Sequence, residues 1–238
     1  PDHSMCGRFT LRTPMNVLID RFQLEDGVER PPRYNIAPTQ QVVAVRRLEG
    51  EHPRQLVLLR WGLIPFWAKD ASIGNRRINA RAETVAKKPA FRAAFQRRRC
   101  LVLADGYYEW KKQGKKKQPF YIRMRDERPF AFAGLWERWR DGGGGDGDEQ
   151  ELVETCTVLT TDANELTRDV HDRMPVIVDD DDWDRWLDTA ERDAAALQRL
   201  LGPFDSGEMK CEPVSTHVNS PRNDDPQCIE VRPDLPEP

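Results

Sequence analysis

The sequence predicts an α+β fold, strand-rich with short helices inserted, and two observations carry that expectation. Apolar, β-branched runs of strand length recur at 41–48, 55–63, 100–104, 130–136 and 154–160. Between them, helical spacing of apolar residues is confined to short stretches such as 14–22 and 89–98. At 238 residues the chain can make one large domain or two small ones. Asp141 to Glu149, with four consecutive glycines and several acids, cannot offset its ordering entropy by burial. Because the strand pattern resumes at Glu154, the stretch at about 141–150 is expected to be a mobile loop inside a single domain covering 6–238. No internal repeat is visible.

Each element has its own signal. Thr13 as N-cap and Pro14 at the first helical position open a short helix that runs to Phe22. The prolines of 31–39 remove donors and push their neighbours extended, so this stretch reads as a rigid, irregular loop. Runs 41–48 and 55–63 form a hairpin about the polar connection at 49–53. Past it, Phe66 and Trp67 beside Pro65 are either a lid on the core or, next to a basic segment, a platform on which bases stack. Arg76 to Thr84 mixes Asn79 with three arginines and Glu83, a pattern that also fits a solvated loop. Pro89 to Arg98 places Ala90, Phe91, Ala94 and Phe95 on one stripe, with Arg92, Arg97 and Arg98 opposite.

From Cys100 a buried strand leads to Glu109 among aromatics. A carboxyl there is either exposed at a strand end or desolvated, in which case its pKa rises toward the range useful for proton transfer. Lys111 to Lys117, with Gly114, reads as a basic hairpin turn, and 119–124 as its returning strand. Asn164 to Val170 is expected to be a short helix delivering His171, flanked by Asp172 and Arg173, to a strand at 176–178. Asp179 to Asp182 cap a helix that buries Trp183, Trp186 and Leu187, and a last helix is expected at 190–201. The tail from Pro213 should wrap the surface, anchored by Val214, Val218, Ile229 and Val231.

Five cysteines, odd in number and without a CxxC pair, argue against a disulfide framework or a structural zinc site and for a reducing compartment. No apolar run approaches the roughly 20 residues of a membrane span, and no signal peptide is recognisable. A formal net charge of −3 hides a strong asymmetry: 75–128 carry 17 basic and 5 acidic groups, 129–238 carry 10 and 27. The middle segment is therefore suited to a polyanion, since fields act within a Debye length of about 8–10 Å. Solvated charge on unrelated faces is the alternative.

The N-terminus carries the sharpest chemistry. Pro1 to Ser4 read as a cloning remnant and Met5 as the initiator methionine, so trimming would leave Cys6 with a free α-amine beside its thiol. The amine titrates near about 7.7–8.0 and the thiol near about 8.5 in unperturbed chains, so each is partly nucleophilic at neutral pH. A buried structural cysteine is the plain alternative.

Six blocks then combine: Met5 to Phe9, Arg33 to Thr39, Trp61 to Pro65, Ile78 to Thr84, Ala104 to Trp110, and His171 to Pro175. In this order they resemble the SOS-response-associated peptidase (SRAP) domain family, and the likeness runs from Cys6 to about Val218. The resemblance implies an α+β fold with a mixed, barrel-like β core and short peripheral helices. It also implies a sensor of abasic sites in single-stranded DNA that traps them covalently, with possible lyase activity; the family name records an older suggestion of peptidase activity. The family's functional residues fall on Cys6, Asn79, Glu109 and His171. In the implied chemistry, Cys6 supplies amine and thiol for a thiazolidine and Glu109 shuttles protons. Asn79 holds the amine or a sugar oxygen, and His171 assists ring opening or protonates a leaving oxygen. Arg8, Asn35, Pro38, Trp67, Arg81 and Arg173 would line the path of the strand. Where the family often shows Pro-x-Trp-Trp, this chain has Phe66-Trp67.

The implied partner is single-stranded DNA with abasic sites, handled by an intracellular, monomeric protein, in the cytoplasm or nucleoid if bacterial or archaeal, without a cofactor, metal or membrane. Two other readings use the same residues: an N-terminal-nucleophile hydrolase or peptidase, and a non-catalytic single-stranded nucleic-acid-binding module. While residues 1–5 remain, the Cys6 nitrogen is an amide and cannot form an imine, and this leader is expected to leave past the site.

Overall fold

The computed structural model describes residues 6–50, 53–140 and 152–235. The expected loop at 141–150 and the leader at 1–5 lie outside the described residues. Strands, in chain order, are β1 (Phe9–Leu11), β2 (Arg33–Ile36), β3 (Gln41–Arg46), β4 (Gln55–Trp61), β5 (Asn79–Arg81) and β6 (Arg99–Ala104). They continue as β7 (Gly106–Gln113), β8 (Lys116–Met124), β9 (Phe130–Arg140), β10 (Leu152–Asp162), β11 (Arg173–Pro175) and β12 (Met209–Pro213). Helices are short: α1 (Met15–Phe22), α2 (Ala82–Val85), α3 (Arg92–Arg97), α4 (Trp183–Leu187) and α5 (Ala194–Gln198).

Five strands close into a barrel, as the family likeness implies. In the order β10-β4-β3-β6-β9 each is hydrogen-bonded to the next, and β9 pairs back onto β10, so no edge is left within the ring. Within the ring only the β4–β10 contact is parallel, and β5, outside it, also runs parallel to β10. The near-continuous apolar runs seen in the sequence follow from this closure, because strands such as β6 are buried on both faces. Phe9, Trp61 and Phe132 meet edge to face in the core, with ring centroids 5.1 and 5.7 Å apart.

A second sheet, β12-β8-β7-β1-β2, lies against the barrel. Its β1–β7 register pairs Phe9 with Tyr107 and Thr10 with Gly106, so the chain before β1 runs back alongside Glu109. On the barrel side, β4 leaves β10 after Trp61, and β5 takes over the same neighbour with Asn79 opposite Val158. The handover needs Gly62, whose φ is +126° and whose Cβ, if present, would sit 2.7 Å from the Gly74 carbonyl oxygen. The Trp61 indole seals it by donating to the Ile78 carbonyl at 2.9 Å.

Several local expectations change. Arg33–Ile36 is an edge strand instead of an irregular loop, because the prolines flank it, and the Asp224 carboxylate accepts the Tyr34 and Asn35 N–H groups at 2.6 and 2.8 Å. Thr13 does not cap α1: Pro14 occupies the cap position, and the Thr13 hydroxyl donates to buried Asp105. Asn164 to Val170 forms turns, not a helix, since the Asn164 side chain accepts from Thr167 N–H and hydroxyl and so competes with helical bonding. In place of a strand at 176–178, the ladder partner of β10 is β11, and Ile177 makes one isolated bridge to Phe132. Only 194–198 of the expected last helix is helical, the preceding turns being held by the Asp188 and Glu191 carboxylates. In the tail Val214 and Val218 are buried as expected, whereas Val231 is exposed.

Candidate active site

Cys6 stands where the two sheets meet. Its main-chain N–H donates to Glu109 Oε1 at 2.6 Å, and the Asn79 amide donates to its carbonyl at 3.4 Å. β7 thus supplies the carboxylate, β5 the amide, and the segment ahead of β1 the cysteine. Cys6 has φ +35°, in the left-handed region that non-glycine residues seldom occupy, so its conformation is imposed by these contacts.

Burial dominates the electrostatics. Glu109 is 3% exposed, and its pKa is pushed up to about 8 by desolvation, with a smaller push from the charge of Asp172. The N–H groups of Cys6 and Trp110 and the charge of Lys117 work against that rise. The Cys6 side chain is 1% exposed, and burial together with the Glu109 charge raises its thiol pKa well above the usual range. This corrects the expectation of a partly ionised thiol: in this state the sulfur is held as S–H, and the carboxyl, not the sulfur, titrates in the neutral range.

His171 is the last residue of the expected set. It lies in the turn between β10 and β11, half-buried, and its neighbour Asp172 is the one whose charge reaches Glu109. Its Nδ1 lies 3.1 Å from both the Arg173 main-chain N–H and the Asp172 carboxylate. Tyr107, which the motif analysis does not single out, shares a face of β7 with Glu109 and is fully buried. Burial and the charges of Cys6 and Glu109 push its phenol pKa upward, so it belongs to the wall of the site. The alternation of the strand was the signal that could have found it.

The residues expected along a DNA path divide into two groups. Trp67 is 48% exposed and Phe66 62%, Arg81 is exposed, and Pro38 is half-buried. Trp67 borders an open groove of about 1230 Å³ that also takes in Lys69, Arg76, Arg77, Lys88 and Phe91. Behind it the Trp139 indole donates to the Ala68 carbonyl at 2.7 Å and fixes the segment. Asn35, in contrast, is fully buried, and its amide donates to the Val218, Ser220 and Asn223 carbonyls. It ties down the C-terminal tail and does not line an open path, which corrects the expectation. Arg173 is likewise turned inward, gripping Glu83 with both Nη atoms and also bonding Asp162 and the Thr160 carbonyl. Arg8 is half-buried, bonded to Asn35 Oδ1 and the Val218 carbonyl at 3.0 Å each, with its guanidinium 5.9 Å from the Trp110 ring centre.

Among the described residues, His217, Asp225 and Cys228 could offer ligands to a metal ion. Their polar atoms already serve one another and Asn223, with His217 Nε2 3.0 Å from Asp225 and the Cys228 thiol donating to the Asn223 carbonyl.

A closed barrel with a flanking sheet thus holds the main-chain nitrogen of a cysteine against a buried carboxylate. The chain belongs to the SOS response associated peptidase (SRAP) family, whose family model matches residues 5–221. It is 44% identical over 230 residues to the abasic site processing protein YoqW of Bacillus subtilis, covering 95% of this chain and 99% of that one. It is 32% identical over 232 residues to the abasic site processing protein HMCES of Xenopus tropicalis, covering 86% of this chain and 67% of that one. The crystal structure of a Bacteroides thetaiotaomicron protein superposes with a TM-score of 0.84 at 28% identity, covering 95% of this chain and all of the other.

Proposed function

We propose that this chain processes abasic sites in single-stranded DNA inside the cell, capturing the ring-opened sugar aldehyde on Cys6. The observation that carries the reading is the 2.6 Å contact between the Cys6 nitrogen and the Glu109 carboxylate. Relatives named abasic site processing proteins at up to 44% identity support the substrate class.

Once the residues ahead of Cys6 are removed, that nitrogen is a primary amine with an ordinary pKa of about 7.7–8.0. Glu109, hydrogen-bonded to that nitrogen and desolvated, is the group placed to take the ammonium proton, burial favouring its protonated form while the ammonium's own charge opposes it. The freed lone pair attacks the aldehyde carbon, and the carbonyl oxygen takes a proton to give a carbinolamine. Protonated Glu109 returns its proton to the departing hydroxyl, water leaves, and an imine remains. The thiol then adds across the C=N bond, its proton going to nitrogen, and closes the five-membered thiazolidine. One water is lost overall and nothing is oxidised or reduced. Proximity makes the ring closure unimolecular, an advantage that reaches roughly 7–11 kcal/mol in well-oriented cases. Because the Cys6 sulfur is held as S–H, addition to a cationic imine suits it better than attack as a free thiolate. Asn79, already on the Cys6 carbonyl, orients the nucleophile, and His171, beside Asp172, assists opening of the sugar ring. Hydrolysis back through the imine would release the intact sugar aldehyde, whereas loss of a C2′ proton from the imine with departure of the 3′-phosphate would give the same site a lyase activity.

The test is a denaturing gel of protein that begins at Cys6, incubated with single-stranded oligonucleotides with and without one abasic site. A shifted band that requires the abasic site supports the reading. Equal binding of both oligonucleotides without any shifted band leaves a binding module, and cleavage of a peptide amide instead would make the protein a hydrolase.

A further inference from the structure

We infer that the free-standing β7–β8 arm, residues 111–118, is a phosphate-gripping extension of the reactive site that holds the single strand on one side of the captured nucleotide. The inference rests on the proposed DNA reading and adds to it the surface that guides the strand.

The arm leaves the body of the sheet. On one side β12 pairs with β8 as far as Phe120 and Val214 then holds the Pro119 carbonyl and the Gln118 amide, and on the other the last β1 contact to β7 is the Tyr108 N–H to Arg8 carbonyl bond. Beyond those points the two strands pair only with each other, Lys111 to Gln118, Lys112 to Lys117 and Gln113 to Lys116, around Gly114 at φ +61°. A two-stranded ribbon in water is marginal by itself.

Its charge makes it less stable still. Five of seven consecutive residues from Lys111 are lysine, and no acidic residue occurs between Glu109 and Asp126. Lys112 and Lys117 are directly opposite across the ladder, an arrangement that destabilises a sheet. Among the described residues no salt bridge involves any of the five, although arginines elsewhere on the surface are widely paired. A ribbon that repels itself, with no ion pair among the described residues, is suited to an external polyanion.

Position selects which one. The arm continues the strand that bears Glu109, and Lys112 lies about 10 Å farther along it. Strand alternation puts Lys111 and Lys116 on the Glu109 face and Lys112 and Lys117 on the Trp110 face, so lysines are presented on both faces. The charge of Lys117 is felt at Glu109 itself. Lysine is a flexible point charge without planar specificity, which suits phosphates of any sequence better than base edges. A strand leaving the site over this arm on one side, and over Trp67 and its basic groove on the other, would be held on both flanks of the reacting sugar.

The test replaces Lys112, Lys115 and Lys116 by Gln together, leaving Lys117 in place because its charge reaches Glu109. Binding of undamaged single-stranded oligonucleotide is measured across a salt series, and the first-order crosslinking rate is measured at saturating abasic oligonucleotide. The slope of log K against log salt should become shallower by about 2, since each single-strand phosphate contact contributes about 0.7, with affinity at low salt falling by tenfold or more. The saturated crosslinking rate should stay within about twofold, and the corresponding triple Arg variant should restore the slope. An unchanged slope and affinity in a folded triple Gln variant would overturn the inference. So would displacement of DNA by polyglutamate as effectively as by competing oligonucleotide, which would assign the arm to acidic proteins. Wild-type protein that forms no adduct while the slope still falls would uphold the arm as a DNA contact and remove the covalent reading instead.

Discussion

Replacing Glu109 by Gln in the chain whose Cys6 nitrogen is still an amide should make the protein more stable at high pH and flatten its pH dependence. The carboxyl has an ordinary value of 4.5 and is raised to about 8 in the folded state, chiefly by burial. The folded state therefore holds a proton that the unfolded chain releases between those values, and stability falls as pH rises through that window, levelling off above about 8. Each tenfold change in proton affinity is worth about 1.4 kcal/mol, so this one group costs on the order of 4–5 kcal/mol by pH 9. Glutamine keeps an oxygen to accept the Cys6 N–H and carries no charge, so the variant escapes that loss. Urea denaturation of both proteins at pH 5, 6, 7, 8 and 9 reads the effect directly, because titrations shared by the two cancel in the difference. Near pH 5 the two should be nearly equally stable, and by pH 9 the variant should lead by several kcal/mol. A stability difference that stays constant across the series would refute the assignment of Glu109 as the group titrating near 8.

Other perturbations read other parts of the structure. Asn35→Ala strands three tail carbonyls and should destabilise the fold by about 2–4 kcal/mol in denaturant titrations, with DNA contact affected only through that loss. Trp67→Ala should weaken single-stranded binding by about 1–3 kcal/mol, roughly five- to 150-fold in Kd, with little effect on melting temperature because the ring is half exposed. Gly106→Ala would put a Cβ 2.1 Å from the buried Tyr121 hydroxyl, which contacts Thr10, and should lower the melting temperature severely or prevent folding. All five thiols are free and buried, so native protein should react slowly with a thiol reagent and denatured protein should release five equivalents without reductant.

Much of the site was legible because its chemistry is local in sequence. Cys6 beside a candidate initiator, and Glu109 among aromatics at the end of a buried run, are patterns of neighbouring residues. Their mutual contact depends on the β1–β7 register, which joins residues 103 apart and leaves no local trace. Asn35 misleads for the same reason: a neutral amide among binding-type residues reads as a ligand contact until the tail at 218–223 is seen closing on it. Charge counting overstated the basic surface, since several of its arginines are spent inside the fold. Arg99 alone serves carbonyls of Phe95, Gln96, Trp186, Asp188 and Glu191, and Arg98 is bound to Glu137. Among the described residues the lysine arm is one stretch free of ion pairs, which the sequence marks plainly as a basic turn but cannot place beside Glu109. Proline-based reasoning at 31–39 was sound for each residue, yet the edge of a sheet accommodates what its centre does not.

The central claim is that the Cys6 amine and thiol together form the bond to the abasic sugar, and intact mass spectrometry tests it most directly. Two proteins are compared after incubation with the same abasic oligonucleotide, one beginning at Cys6 and one retaining Pro1 to Met5. The account predicts a denaturation-resistant species, at the mass of protein plus DNA less one water, from the first protein only. A stable adduct on protein shown to retain Pro1, or none on protein that begins at Cys6, would contradict it.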